Sequence, residues 1–408
     1  MIKYNHFFIF IFLINAILAR DNTLNVSFLA LDNSSNAWWL NNNNYGISYD
    51  NFQSIVYYSK KNGKKKIIGD IVIQKNKVFF KEIFFDYYIS DKNKLKFGKY
   101  YRDYSNYLND ELSSGHMILS NNAEAIKKIG FFSFKEFENR NLKLDFGINN
   151  GILNKSKIYV EAPLFHEKFL TLNYTKKSFS FSVGFVHSAM WGGSILDIGK
   201  QPTSIKDFLK VLISADGPKL EGEPHANALG NHIGLWDFHF LLKRSSHNYN
   251  FYYQHIFEDT SGLRFANKSD GLWGFELIKN NDQSRILFEY LNTSNQQNRP
   301  PYVNEGYYNH YQYKEGWSYK NYALGNSFID PLNVVLLKVA HLGFQHNFRN
   351  NTKVVLKTSR RIDAQDKIKY KFSLSKNLGL EYLKELQLFT MNGDLDSSFG
   401  LGLSFQLK

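Results

Sequence analysis

The sequence predicts an all-β protein, a transmembrane antiparallel β-barrel of the outer-membrane type. Three observations predict it. The N-terminus reads as an export signal, apolar and polar residues alternate with period two from end to end, and the chain is rich in aromatics and poor in proline.

The signal comes first along the chain. Lys3 supplies a positive start, residues 7–14 form an uninterrupted apolar run, and Ile17-Leu18-Ala19 offers a small residue for cleavage. The run is too short to span a bilayer, so residues 1–19 are expected to be a cleavable signal peptide and residues 20–408 the barrel. There is no cysteine, hence no lipid attached through one and no disulfide. Beyond the signal no stretch approaches the ~20 apolar residues of a membrane helix. A membrane protein with this chain must then be a closed barrel, because only helices and barrels satisfy every backbone group in lipid.

The alternation is explicit. Leu142, Leu144, Phe146 and Ile148 alternate with Lys143, Asp145 and Gly147. Phe179, Phe181, Val183 and Phe185 alternate with Ser180, Ser182 and Gly184. Trp236, Phe238, Phe240 and Leu242 alternate with Asp237 and His239, and the last residues alternate from Phe399 to Leu407. Each segment has a greasy face and a small or polar face. In a barrel the greasy faces meet lipid. The polar faces then carry Lys143, Asp145, Asp237, His239, Arg285, Glu289, Lys369 and Lys371 into the lumen, where opposite charges would pair and fill it.

The 36 Phe, 26 Tyr and 6 Trp suit strands and membrane interfaces, and the 7 prolines leave the ladders intact. Asparagine-rich stretches such as Asn149-Asn150-Gly151 and Asn350-Asn351 suit tight turns. Residues 204–213 are a helical candidate whose Phe208, Leu209 and Leu212 share a face, and residues 292–322 form a long polar and aromatic loop. The formal charge is +13, with a lysine cluster at residues 60–66. Such a cluster is a solvated turn or, more sharply read, an attraction for a polyanion.

Motifs for chemistry are missing. The histidines lack metal-ligand spacing, and no phosphate-binding Gly-Lys loop or Gly-x-Ser-x-Gly elbow is present. No metal, cofactor or nucleic acid is expected. His232 and Ser261 could be assembled into an outer-membrane hydrolase, but they do not share a strand face. Residues 252–259, with their Tyr, Gln and carboxylates, could contact sugar hydroxyls or simply end a strand at headgroup level.

The ordered motifs resemble the Wzi-like capsule assembly proteins. The most recognisable is Asn227-Ala228-Leu229-Gly230-Asn231-His232-Ile233-Gly234-Leu235-Trp236-Asp237-Phe238. Before it come Asp110-Glu111-Leu112-Ser113-Ser114-Gly115, Ser120-Asn121-Asn122-Ala123, Trp191-Gly192-Gly193 and Lys206-Asp207-Phe208-Leu209-Lys210-Val211. After it come Tyr253-Gln254-His255, Phe257-Glu258-Asp259, Ser261-Gly262, Asp270-Gly271-Leu272-Trp273-Gly274, Glu289-Tyr290-Leu291-Asn292, Gly316-Trp317-Ser318-Tyr319 and Gly325-Asn326. The resemblance spans nearly the whole mature chain. It implies a monomeric barrel of roughly 18 strands with long extracellular loops, making lectin-like contact with capsular polysaccharide or exopolysaccharide. The N-terminal helical bundle of some members is not expected, because residues 25–73 read as strands and turns.

The function expected is therefore non-enzymatic: binding polysaccharide and helping its assembly or attachment at the cell surface. A diffusion channel is the alternative. The partners expected are an acidic glycan, outer-membrane lipid and the barrel assembly machinery. Exposed loop groups are the expected sugar contacts: Trp191, Tyr302, Tyr307, Tyr308, Tyr311 and Trp317, with Arg299 and Lys314 as cations. Asn231, His232, Asp237, Gln254, His255, Glu258, Asp259, Arg285 and Glu289 are expected to form a network in the lumen.

Overall fold

The computed structural model describes residues 22–32, 38–48, 50–102, 108, 111–137, 140–218, 227–279, 283–296, 306–392 and 397–407. Residues 1–19, expected to be a signal peptide, and Arg299 and Tyr302 lie outside the described residues.

Eighteen strands form one antiparallel sheet. They are β1 Asn22–Leu31, β2 Phe52–Asn62, β3 Lys65–Gln74, β4 Val78–Tyr88, β5 Asn93–Tyr100, β6 Ile126–Phe137, β7 Leu142–Ile152, β8 Leu164–Thr175 and β9 Phe179–Trp191. Then follow β10 Asn231–Lys243, β11 His247–Phe257, β12 Gly271–Lys279, β13 Ser284–Asn292, β14 Lys338–Asn347, β15 Thr352–Arg361, β16 Lys369–Asn377, β17 Leu383–Asn392 and β18 Ser397–Leu407. Each pairs with its neighbours in sequence. The sheet closes on itself where β1 pairs with β18, from Leu24 opposite Leu407 to Leu31 opposite Gly400. Closure removes both edges, which is what lets a sheet stand in lipid.

The connections fall into two classes. At one end every turn has two to five residues, as at residues 63–64, 176–178 and 244–246. At the other end lie the long segments 32–51, 101–125, 153–163, 192–230, 258–270 and 293–337, together with the shorter connections 75–77, 362–368 and 393–396. Barrels of this kind keep short turns on the periplasmic side and long loops outside the cell. Both ends of the sheet's chain path, the start of β1 and the finish of β18, lie at the turn end.

Alternation divides the strands as expected. Phe28, Ile129, Leu170, Phe181, Phe288 and Phe399 stand exposed on the outside, a belt for acyl chains. The opposite face and the in-folded loops make the main core, with Phe132, Phe165, Phe169, Leu235, Ile256, Leu272, Leu287 and Val339 from the wall. The lumen is packed rather than open. Lysines lining it find partners: Lys143 meets Asp145 at 2.8 Å and Lys128 meets Glu167 at 3.7 Å, while Arg285 bonds Glu276 at 2.9 Å.

Residues 204–213 do contain a helix, α1 Ile205–Leu212, but not with the expected face. Val211 and Phe208 pack inward against Trp191, Leu164 and Leu229, and Leu209 points away. Apolar residues lie on both sides of this short helix, so periodicity could not choose between them.

Candidate functional site in the loops and lumen

Residues 111–125 enter the barrel and plug it. Glu289 on β13 is their main anchor, accepting from Ser113 Oγ at 2.6 Å and from the Ser114 amide at 2.7 Å. The Tyr252 hydroxyl on β11 donates to the same carboxylate. Gln254 Oε1 accepts from the Met117 amide at 3.1 Å, and His341 on β14 bonds the Leu112 carbonyl at 2.6 Å. Gly343 lets the loop lie against bare wall, since a Cβ there would meet Leu112 at 2.9 Å. Glu111 reaches Lys353, close to the turn end of β15. Hydrogen bonds to a charged acceptor are worth ~1.5–3 kcal/mol each, so the Glu289 cluster holds the loop firmly.

Residues 306–337 seal the plug from above. Trp317 Nε1 donates to the Ile118 carbonyl at 2.8 Å, and the Tyr308 hydroxyl donates to the Met117 carbonyl. Asn326 Nδ2 donates to the Gly115 carbonyl at 3.0 Å, and Ser120 Oγ to the Gly325 carbonyl at 2.6 Å. Trp38 from the first loop stacks on Phe328 with ring centroids 4.5 Å apart. Within the plug, His116 accepts at Nδ1 from the Ile118 amide at 3.1 Å. Burial, with Arg102 nearby, pushes its pKa down to about 3, so the ring is neutral.

Two further loops fold the other way, over the outside of the wall. The register decides this. His166 pairs with Ala189 and Ala189 with His232, while Lys168 pairs with His187. All lie on the face that carries exposed Leu170 and Phe181. A polar file runs along this outer patch. Lys168 Nζ donates to His187 Nδ1 at 2.8 Å, His187 Nε2 faces His232 Nδ1 at 2.9 Å, and His232 Nε2 meets the Leu229 carbonyl at 3.0 Å. The ammonium can only donate, which makes both rings donors through Nε2. Residues 201–218, with α1, and residues 227–230 cover this file. They are turned back by Gly192 and Gly193, at φ +61° and +77°, where a Cβ on Gly193 would strike the Glu161 carbonyl at 2.8 Å.

Next to it, segment 258–270 does the same over β10–β12. Trp236 Nε1 donates to the Leu263 carbonyl at 3.2 Å, His255 Nε2 bonds the Gly262 carbonyl at 2.9 Å, and Phe265 stacks on His255 at 4.1 Å. Asp270 closes this loop, accepting from the Asn295 amide and the Tyr307 hydroxyl. Burial raises the Asp270 carboxyl above its ordinary pKa despite these donors.

The sequence profile of the family described as capsule assembly protein Wzi matches residues 87–401. The chain belongs to the Wzi capsule assembly family. Among solved structures it is similar to Wzi of Escherichia coli, described as a carbohydrate-binding β-barrel of the outer membrane involved in group 1 capsule assembly. That match has a TM-score of 0.64 at 13% identity and covers 97% of this chain and 86% of the other. OpdL of Pseudomonas aeruginosa is also similar, with a TM-score of 0.46 at 10% identity over 95% of this chain and 97% of that one. A Rhodopseudomonas blastica porin gives 0.40 at 8% identity over 94% and 98%. No curated protein sequence matches.

For a Wzi-family barrel, the expected residues sort in an instructive way. Asp237, Gln254, Arg285 and Glu289 line the lumen, and Asn231 is buried on the same inner face at the rim. His232 and His255 do not. They sit on the outer face, because each is an odd number of residues from Asp237 or Gln254 on its own strand. Glu258 accepts from the Tyr308 amide at 2.7 Å, and exposed Asp259 caps its own loop through the Gly262 amide. Of the expected sugar contacts, Trp191, Tyr307, Tyr308 and Trp317 are buried, Trp317 completely, because they pack the plug and the outer patch. Tyr311 and Lys314 are exposed, and Tyr311 stacks on His310 at 4.6 Å.

Both ring nitrogens of His232 are engaged, by His187 and the Leu229 carbonyl, and the Ser261 side chain lies outside the described residues. The residues that sequence reasoning missed are Ser113, Ser114, His116 and Met117. Ser113, Ser114 and His116 lay inside or beside a motif already visible, but the partners of Ser113, Ser114 and Met117 are more than a hundred residues away, and His116 bonds within its own loop.

Charge is divided between the two ends. Exposed Lys64, Lys92, Arg140, Lys177, Arg244 and Arg349 come from six different short turns. The six long segments carry an acidic excess, 18 Asp and Glu against 12 Lys and Arg; segment 258–270 sets Glu258, Asp259 and Asp270 against Arg264 and Lys268. The lysine cluster at residues 60–66 is the β2–β3 hairpin, with Lys61 opposite Lys66, and faces the turn end.

Proposed function

We propose that this outer-membrane protein is exported by its 1–19 leader and placed in the membrane as a monomer by the barrel assembly machinery. There it binds capsular polysaccharide or exopolysaccharide at its loop face and supports its assembly on the surface. It catalyses no reaction. The observation that carries this reading is the filled lumen. The segments that make the family recognisable are spent on a plug and on loop anchors, so the protein offers a surface rather than a pore. Tyr311, with Lys314 in the same loop, is the exposed aromatic and cation that a sugar face and its substituents would meet. The segregation of charge gives the glycan no reason to be strongly acidic, since the excess cations stand at the far end.

The test has two arms. In planar bilayers the purified protein should be electrically silent. In a pull-down with the host's own surface polysaccharide, at low and high salt, it should bind, and Tyr311→Ala should weaken binding about tenfold, or ~1.4 kcal/mol. Steady porin-like conductance, or no binding at any ionic strength, would overturn the reading.

A further inference from the structure

Among the described residues, the outer face of segment 204–214 has no partner. Along α1 and its last turn, Ile205, Leu209 and Ile213 fall at i, i+4 and i+8 and form one stripe, 82%, 54% and 75% exposed. The inner side carries Val211, fully buried, and Phe208, which packs on Trp191 and edge-on against His166. Beneath it lie His166, Lys168, His187 and His232. Lys168 donates to the Leu212 carbonyl, and Ser214 Oγ lies 2.9 Å from His187 Nε2. A water-facing helix has no use for three large aliphatic groups in line. Conversely, a file of Lys and His on the outer wall is costly against hydrocarbon unless something covers it.

We propose that α1 is a lipid-embedded lid. It lies on the outer wall at the loop-side edge of the apolar belt, its stripe among the acyl chains of that leaflet and its inner side sealing the polar file from them. The occupant follows from continuity with the belt. Lys168 and Leu170 are two residues apart on one face of β8, about 7 Å along the strand, and Leu170 and Leu172 are exposed belt residues. Lys206, exposed beside the stripe, reaches the headgroup layer as interfacial lysines do. Segment 258–270 repeats the arrangement next door, with Phe265 exposed above His255.

The chain has no cysteine, so single labels are clean. Nitroxides placed in the full-length protein at Ile205→Cys, Leu209→Cys and Ile213→Cys, with Leu170→Cys as belt control and Lys206→Cys as polar control, are read in phosphatidylethanolamine–phosphatidylglycerol vesicles. The three stripe labels should collide with oxygen far more than with a water-soluble nickel chelate, as Leu170 does, and Lys206 should show the reverse. Stripe labels as nickel-accessible as Lys206 would overturn the proposal, as would labels shielded from both reagents, the mark of a protein copy on that face. Leu209→Asp gives a second reading. It should raise protease cleavage within residues 201–230 at least severalfold in vesicles while the barrel stays folded; unchanged cleavage would also overturn it. Neither measurement depends on polysaccharide binding.

Discussion

Asp237, Gln254 and Glu289 point into the lumen, while His232, Trp236 and His255, on strands of the same sector, point out. Both sets carry polar groups, all are buried except half-buried Trp236, and both belong to the family's motifs. Inside, Gln254 and Glu289 hold the plug, and Asp237 pairs with His239 at 3.0 Å. Outside, the partners come from segments draped over the wall. A buried polar group in a strand costs free energy until something pairs with it. On each face the residue thus fixes where a loop must lie. The comparison teaches that these motif residues are loop anchors facing two ways, and it separates their failures.

The largest effect is expected at Glu289. Glu289→Ala leaves Ser113 Oγ, the Ser114 amide and the Tyr252 hydroxyl without their acceptor, and each buried unmet donor costs about 1–3 kcal/mol. The plug should loosen and conductance should appear in planar bilayers, while protease resistance of residues 258–270 is unchanged. A silent Glu289→Ala barrel would break the inner half of the comparison.

Acid should act on the inner face as well. His116 is neutral in the plug, with a pKa of about 3 against 6.5 for a free histidine. The folded plug therefore binds fewer protons than the released loop between these values. Its stability falls as pH drops from about 6.5 toward 3, by at most about 1.4 kcal/mol per pH unit. Conductance events should become frequent in that window, and His116→Gln should remove the pH dependence. Events equally frequent at pH 7 and pH 4 in the parent protein would count against a neutral buried His116.

The outer face is tested by His255→Ala, which removes the bonds to Tyr253 and Gly262 and the stack under Phe265. The expected cost is ~1–3 kcal/mol, read as faster cleavage within residues 258–270 with no conductance. Conductance here would mean the two faces are not independent.

The barrel was legible because alternation is a local signal. Phe181 beside Ser182 says which residue meets lipid without any knowledge of the partner strand. The same signal could have placed His232 and His255. Gln254 and His255 are adjacent, so they cannot share a face, yet both look polar enough for a lumen. Hydropathy names the usual occupant of each face and misses a polar residue that a loop will cover. Tyr308 and Trp317 failed differently. They read as exposed loop aromatics because their acceptors, the Met117 and Ile118 carbonyls, lie 191 and 199 residues away. Nothing local in residues 306–330 distinguishes a loop that meets solvent from one that fills a lumen.

The smallest effect concerns the lid. Ser204 caps α1 in a capping box: its Oγ accepts from the Asp207 amide at 3.2 Å, and Asp207 Oδ2 accepts from the Ser204 amide at 2.8 Å. Ser204→Ala removes half of the box and should cost the helix about 1 kcal/mol. The barrel's melting and the silence of the lumen should not change, because neither depends on α1. Hydrogen exchange of the α1 amides should quicken about fivefold in detergent. In vesicles the quickening should be smaller, because lipid around Ile205, Leu209 and Ile213 penalises opening an unsatisfied backbone there. An equal change in both media would place the helix in water and return the stripe to the unexplained.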